Sequence, residues 1–230
     1  MQNWNKCPFC KGTGLICVDE YRRIYRECDC SRNRIIAERL LKAGLTLNAL
    51  KKTFKTFKES VSPEARRMKD IATGFVIRFN EIQGNKEDRN SLALFGQSGA
   101  GKTHLLIAII NSLSKQGVDM QYFSYPEIMT FLKQNVMEKV YTDQMNKYKK
   151  CDLLIIDDLF KNGYTESDKR ILFEILNSRV INHKPMAISS ELLIGDLCKI
   201  DEALGSRIKE ITDRFRYEIV GSQHNYRLKN

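Results

Sequence analysis

Ser91-Leu92-Ala93-Leu94-Phe95-Gly96-Gln97-Ser98-Gly99-Ala100-Gly101-Lys102-Thr103 decides the fold. A short apolar run leads into Gly-x-x-x-x-Gly-Lys-Thr, and the apolar residues Leu105, Leu106, Ile107, Ala108, Ile109 and Ile110 follow. The segment therefore reads as a strand (Ser91–Phe95), a glycine turn and a helix (Gly101–Lys115) ended by Gly117. That context separates a phosphate-binding loop from a chance glycine cluster. Gly96, Gln97, Ser98, Gly99, Ala100 and Gly101 present successive backbone N–H groups to one centre at a helix N-terminus, where an anion is held. Lys102 adds a point charge for the β- and γ-phosphate oxygens, and the Thr103 hydroxyl is placed for Mg²⁺. ATP and Mg²⁺ are the expected cofactors.

A phosphate loop needs an acidic partner at the end of a neighbouring buried strand. Leu153-Leu154-Ile155-Ile156-Asp157-Asp158 supplies it, because apolar residues on consecutive positions mark a parallel strand covered on both faces. Asp157 is expected to hold Mg²⁺ through water, and Asp158 to orient or deprotonate the attacking water.

Outward from these motifs, strands and helices alternate. Val118–Ser124 and Pro185–Ser190 read as strands, with Asp152–Asp157 between them, and Pro126–Lys139 as a helix. Thr165 and Asp168 form a capping-box pattern ahead of a helix bearing Ile171, Leu172, Ile175, Leu176 and Val180. Leu192–Lys199 and Asp201–Asp213 read as further helices, and Arg216–Val220 with Asn225–Leu228 as a terminal hairpin. Before the loop, Ser62-Pro63 starts a helix whose Ala65, Met68, Ala72, Phe75, Phe79 and Ile82 recur every three or four residues until Gly84. The prediction is an α/β domain over 61–230, a parallel sheet flanked by helices.

Residues 1–45 have a different character. Cys7-Pro8-Phe9-Cys10 and Cys28-Asp29-Cys30 bracket a hairpin, Leu15–Val18 against Arg22–Arg26. Two close cysteine pairs at one end of a hairpin can give Zn²⁺ four thiolates, a closed structural site that supplies folding energy to a segment with little core. Cys17 lies between the pairs and could replace one ligand. Cys151 and Cys198 read as ordinary buried thiols. Ser31 opens a helical pattern with Ile36, Leu40 and Ala43 on one face, closed by Gly44. The lysine-rich stretch 46–60 reads as a linker whose Phe54 and Phe57 dock on the next domain.

The chain carries 38 basic and 28 acidic residues, a net +10 that favours polyanionic partners. Residues 1–60 hold 13 Lys/Arg against 6 Asp/Glu, so the excess is concentrated there; four thiolates on one zinc would reduce it. No apolar run approaches the roughly 20 residues of a membrane span, and Met1–Cys7 lacks a signal-peptide core, so no membrane partner and a cytoplasmic location are expected. Seven cysteines in such a compartment read as thiols or metal ligands.

Taken together, Cys7-Pro8-Phe9-Cys10-Lys11-Gly12-Thr13-Gly14, Cys28-x-Cys30, Gly96–Thr103, Leu153–Phe160, Ile188-Ser189-Ser190-Glu191-Leu192 and Ile200–Ile208 resemble the helicase-loader ATPases of the DnaC/DnaI type. That group is a branch of the AAA+ fold that also includes the IstB transposition ATPases. The resemblance implies an ATPase that loads a replicative helicase, binds single-stranded DNA and self-associates as a hexamer or open spiral with ATP. It implies a sensor residue at Ser190 or Glu191, and in Arg207 a finger reaching the γ-phosphate of a neighbouring subunit. Lys133, Lys139, Lys147, Lys149 and Lys150 become candidate DNA contacts, because relatives carry extra helices there. The chain departs from the wider pattern in having Asp158 where Glu is common and Glu191 where Asn is common, and Arg214 is a weak match to a second sensor. The alternative is an IstB-like regulator of transposition that binds duplex DNA; a small-molecule kinase is disfavoured by the want of an obvious substrate-binding lid and by Gly205-Ser206-Arg207.

Overall fold

The computed structural model describes residues 7–28, 30, 31, 34, 37, 38, 41 and 45–221. Two small strands, β1 (Leu15–Asp19) and β2 (Ile24–Glu27), pair antiparallel with Leu15 opposite Glu27. Of the helix expected from Ser31, Ile36, Leu40, Ala43 and Gly44 lie outside the described residues. Two helices follow, α1 (Pro63–Ile77) and α2 (Phe79–Asn85), and then the strand β3 (Leu92–Gly96). The order continues α3 (Lys102–Ser114), β4 (Met120–Ser124), α4 (Tyr125–Gln134), α5 (Lys139–Lys150), β5 (Leu153–Leu159), α6 (Glu166–Ile181) and β6 (Met186–Ser190). It closes with α7 (Ile194–Ile200), α8 (Glu202–Ile211) and β7 (Phe215–Ile219).

The five strands β4-β5-β6-β3-β7 make one parallel sheet. Both of its faces are covered. One apolar cluster joins α1, α2, α3 and the face bearing Leu92, Leu94, Leu153 and Ile155. The other joins α4 to α8 with the face bearing Ala93, Phe95, Leu154, Ile156 and Ile188. Successive residues of β3 thus alternate between two buried layers, which is why its sequence is apolar throughout.

Four local departures from the sequence reading have physical causes. The helix expected to run from Pro63 to Gly84 breaks at Arg78 (φ −94°, ψ 3°), which swings Phe79 and Ile82 into the core; Phe75 then meets Phe79 and Phe215 edge-on at 5.8 and 5.5 Å. Gly84 lies inside α2, and Lys86, in the left-handed region at φ 51°, ends it. The helix expected to reach Lys139 stops at Gln134, because the Asn135 amide bonds the Phe131 carbonyl at 2.7 Å; a separate helix, α5, begins at Lys139. Arg216–Val220, expected as one half of a terminal hairpin, has a further partner that the sequence reading did not give. It enters the main sheet as β7, parallel to β3 with Leu92 opposite Phe215, and Asn225–Leu228 lies outside the described residues.

The capping box at Thr165 and Asp168 forms as expected, and Ser62 caps α1 by accepting from Ala65 N–H at 3.1 Å. The stretch 46–60 is packed rather than free. Ala49 and Phe57 belong to the first apolar cluster with Phe54 against it, and the Asn111 amide of α3 donates to the carbonyls of Ala49 and Lys52 at 2.8 and 2.7 Å. Among the described residues no helix is long and apolar enough to cross a membrane.

Candidate functional site: a phosphate loop and a bulged acidic strand

The loop between β3 and α3 depends on its glycines. A Cβ on Gly96 (φ 118°) would stand 2.2 Å from the Ile219 carbonyl oxygen, and one on Gly101 (φ 91°) 2.7 Å from the Phe57 ring. β7 and Phe57 therefore brace the loop from two sides. The buried Lys102 side chain folds back over it and donates to the carbonyls of Gly96 and Gln97, the latter at 2.8 Å. Burial pulls its pKa down, opposed by the charges of Glu191, Asp158 and Asp157.

Asp157 is 3% exposed and has three hydroxyl neighbours: Thr103 donates at 3.1 Å to one oxygen, Ser189 donates to the same oxygen, and Tyr122 donates to the other. Burial, reinforced by Asp157, raises the Tyr122 phenol well above its ordinary value, so it remains a donor. The Asp157–Thr103 pairing is the donor set a hard divalent cation takes beside a nucleotide: an anionic oxygen and a hydroxyl on adjacent elements.

A β-bulge explains how neighbouring residues of one strand serve one cleft. Ile156 pairs with Ile188 and Leu159 with Ser190, so Asp157 and Asp158 together face the single residue Ser189. Asp158 takes the left-handed region at φ 58°, and its N–H donates to Ser189 Oγ at 3.0 Å. Without the bulge the two carboxylates would project to opposite faces of the sheet. With it, Asp157 meets Thr103 while Asp158 joins Ser98, Gly99, Lys102 and Thr103 around a cleft of about 250 Å³. Lys52, Gly101, His104, Lys161 and Glu191 complete the rim.

Of the two sensor candidates, Glu191 lines this cleft. Ser190 does not: its hydroxyl donates to the Leu159 carbonyl at 2.7 Å and accepts from Leu192 N–H at 3.1 Å. Ser189 and Tyr122 were not singled out in the sequence. Ser189's only mark is that a polar pair ends β6, and Tyr122 sits where a core residue fits equally well. Arg207 stands outside the cleft, half-buried on α8, with its guanidinium 4.7 Å above the Phe173 ring and bonded to the Ala203 carbonyl. Arg214 is paired with Glu87. Of the five lysines, Lys133 pairs with Asp168 at 2.9 Å and Lys149 with Glu174 at 2.6 Å, whereas Lys139, Lys147 and Lys150 are exposed on α5.

The N-terminal sulfurs form a second cluster. Sγ of Cys7, Cys10, Cys28 and Cys30 all lie within 4.8 Å of one another, with Cys7 3.8 Å from Cys28 and Cys10 3.2 Å from Cys30. These spacings are too long for a disulfide bond of about 2.05 Å. They bracket the edge of about 3.8 Å that a tetrahedron with Zn–S bonds of about 2.3 Å requires. The knuckle is shaped by Lys11 N–H donating to the Cys7 carbonyl at 2.8 Å and Thr13 N–H to that of Cys10 at 3.0 Å. The hydrogen bond from Cys30 pulls the Cys10 thiol down to about 6. Cys17 is exposed on β1 and outside the cluster; Cys151 is buried as expected, whereas Cys198, on α7, is only half-buried.

A five-stranded parallel sheet with a phosphate loop on one strand and an acidic pair two strands away defines an AAA+ P-loop ATPase. Residues 50–211 match the family described as the bacterial DnaA ATPase domain, and the chain belongs to that family. It is similar to the uncharacterized protein YqaM of Bacillus subtilis, 37% identical over 94% of this chain and 72% of that one. The phage-like element PBSX protein XkdC of the same organism is 35% identical over 97% of this chain and 86% of its own length. Among solved structures, the DnaC helicase loader superposes with a TM-score of 0.59 at 21% identity, covering 77% of this chain and 100% of that chain. The replication initiator DnaA bound to AMPPCP and single-stranded DNA gives 0.60 at 24%, covering 76% of this chain. The chain spans about half the length of that DnaA chain, 51%. These likenesses establish the fold.

Proposed function

We propose that the chain is an ATP-dependent loader of a replicative helicase, which binds the helicase and single-stranded DNA when replication is initiated, in the cytoplasm. The reaction is ATP hydrolysis, slow until an oligomer or a partner completes the site. Loop N–H groups from Gly96 to Thr103 hold the phosphates, and Lys102 exchanges its loop carbonyls for phosphate oxygens. Thr103 and Asp157 hold Mg²⁺, which neutralises charge on the phosphate oxygens when bound. Asp158 orients the attacking water, Glu191 senses the terminal phosphate, and Arg207 acts on a neighbouring subunit's nucleotide. Residues 1–45 are the partner-docking module, with Zn²⁺ on Cys7, Cys10, Cys28 and Cys30; 46–60 join it to the ATPase domain at 61–230.

The observation that carries this reading is the four-sulfur cluster ahead of a DnaA-family ATPase core. A hairpin folded around a metal, without catalytic room at the metal, is suited to protein docking. The similarity to a structure that is itself a helicase loader agrees with it. Co-purification with the replicative helicase of the same replication system is expected with ATP and to weaken with ADP. A chain that leaves the helicase unbound and protects duplex DNA from nuclease would instead be an IstB-like regulator.

A further inference from the structure

The end of β5 and the turn after it have an unusual backbone. Asp158, Phe160 and Asn162 take φ values of 58°, 60° and 66°, a sparsely populated region that persists only where the surroundings over-determine it. Lys161 N–H donates to the Asp158 carbonyl at 3.0 Å and Gly163 N–H to that of Phe160 at 3.2 Å. Phe160, 4% exposed, is fixed against the rings of Tyr125 and Tyr164 at 5.5 and 5.0 Å. Between these anchors the turn aims Lys161 into the cleft. Its ammonium lies 2.7 Å from Asp158 Oδ2 and 3.5 Å from Glu191 Oε1, and its side chain is about one-third exposed.

Lys161 thus approaches from the side of the water-orienting carboxylate, whereas Lys102 approaches from the loop. An in-line attack requires the terminal phosphoryl group to lie between the loop and Asp158. A cation tethered to Asp158 meets that group and not the β-phosphate buried in the loop. Charge supports the same assignment, since Asp158 and Glu191 line the cleft and Lys161 adds to Lys102 and Lys52 a third cation among its described lining residues.

We propose that Lys161 is a second phosphate-binding cation, acting within its own chain on the terminal phosphoryl group, and that it distinguishes ATP from ADP. This rests on the ATPase reading of the cleft. The test is calorimetric binding of AMPPNP and of ADP, each with Mg²⁺, to the full chain and to Lys161→Met, Lys161→Gln and Lys161→Arg. Two neutral variants are used so that misfolding of one leaves the comparison intact. Loss of one charge-assisted hydrogen bond should weaken AMPPNP binding by about tenfold or more and ADP binding by less than about twofold, and arginine should restore most of the difference. Turnover should fall in the neutral variants as well. Equal weakening of both nucleotides, unchanged binding of both, or lower turnover with an unaltered AMPPNP-to-ADP ratio would overturn the proposal. If the unsubstituted chain binds neither nucleotide, the ATPase reading itself fails and takes this one with it.

Discussion

Asp157 and Asp158 are adjacent in sequence and differ in what surrounds them. Three hydroxyl donors fix Asp157, whereas Asp158 is held by one lysine at the rim. On the proposed roles, that difference separates ground-state binding from turnover. Lys102→Ala should abolish tight ATP binding, while Asp158→Asn should bind ATP within about threefold of the parent and lose turnover by a factor on the order of 10² or more; equal loss of affinity in both would refute the assignment. A second residue-scale prediction concerns Arg179, fully buried and, among the described residues, in no direct ion pair with a carboxylate. Its guanidinium donates to the carbonyls of Tyr148 at 2.7 Å, Cys151 at 3.1 Å and Pro185 at 2.7 Å, closing the C-terminus of α5 against β6. Arg179→Met keeps the volume and strands those carbonyls, so urea unfolding should show a loss of about 3–5 kcal/mol. A change below about 1 kcal/mol would mean that water replaces the guanidinium.

At the scale of elements, the hairpin β1–β2 is the piece with least core of its own; both strands are largely exposed, and Cys10 and Cys28 are its buried residues. Purified protein should contain about one zinc per chain, and Cys7→Ser with Cys10→Ser should release it and loosen this hairpin while leaving the thermal transition of the ATPase domain within a few degrees. Stoichiometric zinc in the double variant would exclude these ligands. The elements also show what a sequence displays and what it conceals. The strands β3, β5 and β6 were legible because burial on both faces leaves consecutive apolar residues in Leu92–Phe95, Leu153–Ile156 and Met186–Ile188. The cap of α6 was legible because Thr165 and Asp168 act through local backbone. By contrast, α5 turns only Met145 and Tyr148 fully into the core, too sparse a period to separate from a polar connection. The bulge at Asp157–Asp158 depends on register with Ser189, 32 residues away from Asp157, and no local pattern reports a pairing across strands.

For the whole molecule, the decisive group outside the cleft is Arg207. Lying on Phe173, it cannot serve its own phosphate loop without leaving that ring, and the proposed role in a neighbouring subunit makes hydrolysis a property of the assembly. Arg207→Ala should bind ATP nearly normally and lose turnover, and mixing it with Lys102→Ala should restore part of the activity, because a mixed interface contains one intact loop facing one intact arginine. Specific activity of the unmutated chain should rise with protein concentration. Concentration-independent activity without complementation would make it an isolated ATPase. The strand order carries a separate consequence. Among the described residues β3 pairs with strands that come much later in the chain, Leu92 lying opposite Ala187 on one side and Phe215 on the other, and Met186 N–H reaches Ser91 Oγ across 95 residues. Such pairings are slow to find, because a long loop must close before any contact rewards it. During synthesis the phosphate loop therefore emerges well before the strands that shape it, and a ribosome-bound chain released after β5 would carry the whole glycine motif yet have no nucleotide pocket. Competence to bind ATP is therefore expected only once 215–219 has docked beside Gly96.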